Sequence, residues 1–600
     1  MLDYKKDRID YGRQLNPPDG FRMERAVATT YSLDLFAFLS IPVALFYKKN
    51  LDGKVSENRM DIFDAIQKTS DRITVYCQKG KIKVPYSANR IVSFIDQSIA
   101  EVLPDSAFIA FHPKIWVIRY VNPTQKILYR VIILSRNLTF DRSWDVAFTL
   151  NGFVTKHQVA ESKPLATFIR HLSSFKDFAG SETFIEDLGK TRFTSEPLFH
   201  SFRFHPTGFV PYTNPLAKTK WKDLTIVSPF LDQNALEHFL QAADGKKCLF
   251  SRKEELDKIH MSVLKKFHSC YALSQDIVEG EDFSNTQEES DDLPSKQNLH
   301  AKIFLGETPE GQTRWFIGSG NCSTPALERN HEFLVELLHE KAETPTKMIT
   351  EALVGKDKNF QFFEDYTRKQ ANPIKTDEYD FRKVVYSILK YLEHKENLQV
   401  ECRLRDETHD TYNILISLKP HTAFNKPDLV HSIAPYGWNA APLPILTDST
   451  MLYENIPVYN LSPFFIWKIN NTKLDQEKSF ITKLPVALPE HRKQAIFKSI
   501  IQDKQRFIQL IQFLLGSNDD IVFFRDLKEK HQAGKRRDNK LLNISANMYE
   551  EMLIAASRDP AKLKDIDNLI RKLEESKSED LIPEEFHLLW KVFKQIVSDA

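Results

Sequence analysis

Between residues 25 and 340, short apolar runs rich in β-branched and aromatic residues alternate with stretches of helical spacing, which is the texture of an α/β fold. The runs ITVYC (73–77), KIWVIRYV (114–121), RVIIL (130–134), LTIVS (224–228), AKIFLG (301–306) and RWFIGSG (314–320) are predicted strands. Two segments share one design. TTYSLDLFAFL (29–39) and VSPFLDQNALEHFL (227–240) each run from a strand end through a hydroxyl residue and Leu-Asp into an amphipathic helix. Asp34 and Asp232 fall where a carboxylate favours a helix start. The region therefore reads as a duplication, and two lobes are expected.

Beyond about residue 345 the pattern changes. Residues 395–470 carry strand-like runs (LQVECRL, YNILISL, FFIWKI) separated by Pro-rich loops, and from Pro489 to Ala600 apolar residues recur at three- and four-residue spacing, as on an amphipathic helix. The expected order is an N-terminal extension (1–24), a first lobe (25–198), a second lobe (199–345), a mixed, β-rich domain (346–488) and a helical C-terminal domain (489–600). Inside the second lobe, the segment 275–298 has eight acidic and no basic residues between Asp276 and Asp292. Such a segment cannot bury itself and is predicted to be a mobile loop. GKRRDNK (534–540) is a basic cluster, expected to be a solvated loop.

The most apolar stretch, Tyr31 to Tyr47, is 17 residues long and holds Asp34 and Pro42. A membrane span needs about 20 uninterrupted apolar residues, so a buried helix ending near Pro42 is expected and no membrane partner. The amino terminus is charged but no apolar run follows it, so no secretory signal is expected. Composition adds three limits. Lys+Arg 82 against Asp+Glu 81 leaves a formal charge of +1, so any nucleic-acid footprint must be a local patch. Five cysteines without a CxxC exclude a cysteine zinc ribbon and argue against a disulfide framework. A reducing, cytoplasmic setting is expected.

Four His-x-Lys triplets occur: His112-Pro-Lys114, His300-Ala-Lys302, His339-Glu-Lys341 and His491-Arg-Lys493. About one or two are expected by chance at this His and Lys content. The last two have no apolar strand after them and read as charged, helix-like stretches. The first two each open a predicted strand, and a second strand then delivers Ser135-Arg-Asn137 or Ser319-Gly-Asn321. A carboxylate follows each asparagine, Asp145 eight residues on and Glu332 eleven residues on. The whole order therefore occurs twice.

Residues i and i+2 of a strand share a face, so each histidine and its lysine project together. Two lobes packed symmetrically would gather two His, two Lys and two Asn around one pocket. The lysines and amides can hold non-bridging phosphoryl oxygens without metal. One imidazole can attack phosphorus while the other protonates the leaving oxygen. A carboxylate behind each ring would fix its tautomer. No His/Cys/Asp group has metal spacing, Asn330-His331-Glu332 included, and no cofactor is expected.

HPK…SRN…D and HAK…GSGN…E resemble the two HKD half-motifs of the phospholipase D superfamily. The match covers residues 25–340 and implies two pseudo-symmetric α/β/α lobes and a covalent phosphohistidine. The superfamily places an aspartate five residues after each lysine; here those positions are Arg119 and Glu307. With NLTFDRSWD (137–145), this is closest to the nuclease and tyrosyl-DNA phosphodiesterase branch. By motif position the resemblance makes His112 the nucleophile and His300 the general acid, an order that could be reversed. It gives Lys114, Lys302, Asn137 and Asn321 to the phosphoryl oxygens, Ser135 and Ser319 to bracing, and Asp145 and Glu332 to orienting the histidines. The implied activity is a metal-independent nuclease acting on DNA in preference to RNA, of the bacterial genome-defence or restriction type. The alternatives are a DNA-end repair phosphodiesterase, a phospholipid hydrolase and a non-catalytic protein whose C-terminal half binds a partner. One chain holds both half-motifs, so a monomer suffices for the site.

Overall fold

A computed structural model describes residues 14–39, 70–84, 95–139, 143–195, 198–209, 212–274, 298–339, 362–367, 379–438, 441–447 and 449–493, with scattered further positions. The acidic segment at 275–297, the basic cluster at 534–540 and nearly all of the expected C-terminal helical region lie outside these residues. The fold is mixed α/β with several sheets. It divides into two compact units: Met1–Leu33, Arg72–Ile82 and Ser98–Lys390 form the first, and Asp34–Asp71, Lys83–Gln97 and Tyr391–Ala600 form the second.

The first unit begins with strands β1 (Arg22–Thr30), β2 (Ile73–Gln78), β3 (Ile99–Val102), β4 (Ile115–Val121), β5 (Ile127–Leu134), β6 (Ser143–Trp144), β7 (Ala147–Val154) and β8 (Thr191–Thr194). It continues with β9 (Ser201–Thr207), β10 (Asp223–Val227), β11 (Lys247–Ser251), β12 (Ser269–Leu273), β13 (Asn298–Leu299), β14 (Ile303–Glu307), β15 (Thr313–Gly318), β16 (Glu332–His339) and β17 (Phe363–Asp365). Among the described residues, one sheet has the order β3-β2-β1-β4-β5-β7-β8 and the other β17-β12-β11-β10-β14-β15-β16-β9. Their central parts correspond strand for strand. β1 is parallel to β2 and antiparallel to β4, as β10 is parallel to β11 and antiparallel to β14. The six stretches that alternation marked as strands all contribute to these sheets.

Both faces of the second sheet are buried, which explains its nearly continuous apolar runs. Ile303, Leu305, Trp315, Ile317, Phe333 and Val335 face a core shared with Val117, Tyr129 and Val131 of the first sheet. Phe304, Phe316 and Leu334 face a second core, with Leu236 and Phe239 of the helix Gln233–Ala242. Asp232 caps that helix, its Oδ1 accepting from Ala235 N–H at 2.8 Å. In the second unit, Asp34 Oδ1 does the same for Phe36 N–H at 2.9 Å.

The second unit's described strands form a three-stranded and a four-stranded antiparallel sheet within residues 398–483. A buried ion pair joins Arg492 to Asp96 there, and Arg492 also donates to Leu461 O at 3.0 Å. The third His-x-Lys triplet differs from its expected helix-like setting: His339 is the last residue of β16. The apolar run FLVELL before it, buried on both faces, outweighs the charges that follow.

Candidate active site

Both His-x-Lys segments lie just before their strands and not within them, because each is paired sideways to a segment of the other half. His112 N–H donates to His331 O at 2.9 Å, and His331 N–H donates to Ala110 O at 2.9 Å. In the matching place, β13 pairs in parallel with β6, and His300 N–H donates to Trp144 O at 2.7 Å. Each histidine is thus strapped to the residue that precedes the other half's carboxylate, Glu332 or Asp145.

Around His112 the side chains form a continuous chain of contacts. Its Nδ1 is 2.9 Å from Glu332 Oε2, and its Nε2 is 2.8 Å from Lys114 Nζ, which also donates to His112 O at 3.1 Å. Ser319 Oγ donates to the same Glu332 oxygen and accepts from Phe333 N–H at 2.9 Å. Asn330 Nδ2 reaches Glu332 Oε1 at 3.4 Å, while its Oδ1 accepts from Ala110 N–H at 3.0 Å. Gly318, at φ +151°, brings this turn so close to β16 that a Cβ would strike Phe333 O.

Electrostatics follow from burial. Lys114, Lys302 and Glu332 are 1%, 2% and 0% exposed. Burial lowers the His112 pKa to about 4, and Lys114 and Lys302 act in the same direction against Glu332. Burial alone would raise Glu332, but His112, Lys114 and the Ser319 hydroxyl together hold it below the usual carboxylate value. Burial and the charge of Lys302 hold Lys114 well below an ordinary lysine. Lys302 is lowered to about 7 by burial, with Glu332 and Asp145 opposing and Arg252 assisting. The state this favours is a neutral His112 ring whose Nδ1–H points to a carboxylate and whose Nε2 carries the lone pair.

The second half is built alike but ends differently. Lys302 Nζ donates to His300 O at 2.7 Å and to Ser135 O at 3.3 Å. Ser135 Oγ accepts from Val146 N–H at 2.8 Å, as Ser319 does from Phe333. Asp145, however, places its Oδ2 3.3 Å from Arg136 Nε. Burial raises the Asp145 pKa, against Arg136 and Lys302. The amide oxygens of Asn137 and Asn321 are buried without a hydrogen-bond partner among the described residues. Their segments are pinned beside β1 and β10: Leu138 N–H donates to Thr30 Oγ1 and Cys322 N–H to Ser228 Oγ, both at 2.9 Å.

Arg119 and Glu307 make structural ion pairs, with Glu24 and Asp187 for the first and Lys222 for the second. Three residues at the site escaped the sequence: Asn330, Arg136 and Tyr31, whose ring centroid lies 5.3 Å from that of His112. The Asn-His-Glu triplet and the middle of Ser-Arg-Asn were the available signals. Among the described residues no three His, Cys, Asp or Glu side chains gather as metal ligands, and no helix is long and apolar enough to cross a membrane.

No protein-family model matches this chain, and no curated protein matches its sequence. Solved structures of yeast tyrosyl-DNA phosphodiesterase match it in part. One is 12% identical over 54% of this chain and 84% of that one, with a TM-score of 0.33. A histidine-to-asparagine mutant of that enzyme is 11% identical over 53% and 84%, with a TM-score of 0.32.

Proposed function

We propose that this protein is a phosphodiesterase that cleaves nucleic acid, DNA in preference to RNA, through a covalent phosphohistidine and without metal. The observation that carries this is the His112 ring, held by a buried carboxylate at 2.9 Å from Nδ1 and a buried lysine at 2.8 Å from Nε2. A neutral imidazole with a committed tautomer is a nucleophile, and a cation beside its lone pair draws a phosphoryl oxygen to the same spot.

In the first step His112 Nε2 attacks phosphorus, the bond to the leaving oxygen breaks, and His300 gives that oxygen its proton. In the second, neutral His300 takes a proton from water, the water oxygen attacks phosphorus, and the P–N bond breaks to restore His112. Lys114, Lys302, Asn137 and Asn321 hold the non-bridging oxygens throughout. Glu332 orients the nucleophile, and Ser319 and Asn330 orient Glu332.

The test is cleavage of end-labelled DNA and RNA oligonucleotides in EDTA, with a detergent quench at mildly alkaline pH to trap a labelled protein adduct. Cleavage in chelator and an acid-labile, base-stable adduct that His112→Asn abolishes are expected. Loss of activity in EDTA with recovery on adding Mg²⁺ would overturn the mechanism.

A further inference from the structure

A cavity opens in the first unit at the end of the second sheet that points away from the histidines. Its volume is about 660 Å³, inside the range of roughly 300–1,000 Å³ that small-molecule sites occupy. Strand β14 separates it from the catalytic end. Lys302 precedes that strand, whereas Thr308, which lines the cavity, follows it. Six residues of extended chain put the two about 20 Å apart.

Two tied-down segments make the walls. One carries Tyr212, Lys218 and Lys220. It is anchored by Asn214, whose Oδ1 accepts from Leu216 N–H at 3.0 Å and whose Nδ2 donates to Ala326 O at 3.1 Å. Thr219 Oγ1 donates to Pro215 O at 2.9 Å, and Lys222 beyond it pairs with Glu307. The other wall is the 308–312 turn, closed by bonds from Thr308 N–H to Gln312 O and from Gly311 N–H to Thr308 O, both 2.9 Å. It carries Glu310, and Arg314 follows. A cavity with walls fixed in advance loses little entropy when it is filled.

Its charge is positive. Lys218 and Lys220 are exposed, and among the described residues their ammonium groups have no partner. His205 and Arg314, which also line the cavity, lean on one buried carboxylate. Glu336, 2% exposed, lies 2.9 Å from His205 Nε2, 3.5 Å from Arg314 Nη1 and 3.7 Å from Arg203 Nη1. Two guanidiniums share that carboxylate, so one positive charge is left over. With Lys218, Lys220 and Glu310 included and His205 counted as neutral, the excess is two positive charges. A phosphate monoester carries about −1.5 to −2 at neutral pH, which matches it. The Tyr212 ring adds a flat apolar surface, and the Glu310 carboxylate adds an acceptor that repels a bare anion.

We infer that this cavity binds a nucleoside monophosphate. Lys218, Lys220 and Arg314 hold the phosphate, with the planar guanidinium taking two of its oxygens. The base lies against Tyr212, and Glu310 accepts from an amino group on its edge. The site is separate from the histidines, and binding there requires no phosphodiester chemistry.

The experiment is photolabelling of the full-length protein with 8-azidoadenosine monophosphate, followed by mass-spectrometric mapping of the labelled peptides. Label is expected in peptides covering 212–220 or 308–314. AMP should compete for it at least tenfold better than inorganic phosphate or adenosine. Lys218→Ala combined with Lys220→Ala should cut this label at least tenfold with the melting temperature unchanged, since both side chains are exposed. Tyr212→Leu provides a second reading: half-competition by AMP should need at least fivefold more nucleotide, while that by inorganic phosphate stays the same. Label confined to peptides holding His112 or His300, or undiminished label in the double lysine variant, would overturn the inference. Inorganic phosphate competing as well as AMP would make this a bare anion site and overturn the nucleotide. A thymidine decanucleotide competing at lower concentration than AMP would assign the cavity to a polynucleotide and overturn it as well.

Discussion

Glu332 opens a strand of one sheet and His112 stands just before a strand of the other, and their 2.9 Å contact ties the two halves together. Its removal should cost turnover far more than binding. Glu332→Gln keeps the shape and the bond from Ser319 but removes the charge that holds the tautomer. A fall in kcat of roughly 10²- to 10⁴-fold with little change in KM is expected, by analogy with loss of a triad carboxylate. Steady-state kinetics on an oligonucleotide would check it, and an equal effect on KM would point to substrate binding.

His112→Ala and His300→Ala should each remove nearly all turnover, and the double variant should be no worse, because nucleophile and acid act as one unit. An activated p-nitrophenyl ester separates them. His300→Ala should still release a burst of nitrophenol and hold the phosphoenzyme, while His112→Ala should show no burst. Equal bursts from both would refute the division of roles.

Acid stability should depend on His112. In the folded protein its pKa is lowered to about 4, against an ordinary value of 6.5. Between these values the unfolded chain binds a proton that the folded one does not, so stability rises with pH from about 4 to 6.5. Lys302, lowered to about 7 from 10.5, gives the same sign from about 7 to 10.5. Melting temperature against pH should climb through the lower window in wild type and climb less steeply there in His112→Asn, where His331 and His431, also lowered to about 4, supply the remainder. A bound phosphate analogue should oppose the upper climb, because it favours the charged lysine.

In the second unit, Arg492→Met should destabilise by about 3–5 kcal/mol, since it leaves the fully buried Asp96 carboxylate without its counter-charge. Adding Asp96→Asn should recover much of the loss. Chemical denaturation of the two variants gives the comparison, and a single variant as stable as wild type would show that the pair contributes nothing net.

Much of this was legible in the chain. Alternation located six strands of the two sheets, and the repeated order of His, Lys, Ser, Asn and acid picked out residues that the structure brings together, His112 with Lys114, Glu332 and, through Glu332, Ser319. The pairing between halves was not legible. It depends on residues 110–112 and 330–332 lying side by side, in irregular segments that have no hydrophobic period. Periodicity tells which face a residue occupies, not which sheet lies opposite, so Glu332 could be assigned to orienting work but not to His112. Arg136 was hidden because a position between two motif residues carries no pattern. His339 was misplaced because short-range charge was weighed above a run buried on both faces.

The crossed straps also bear on how unequal halves can arise. Two identical subunits related by a twofold axis must present the same residue at equivalent positions. Such a pair would have to place one acid type beside both histidines and the same residue in the middle of both Ser-x-Asn turns. A continuous chain is released from that constraint. Glutamate on one side and aspartate on the other, or Arg136 in one turn where the other has Gly320, can exist only because both halves are encoded separately. Covalent continuity here is what permits a site with two different sides.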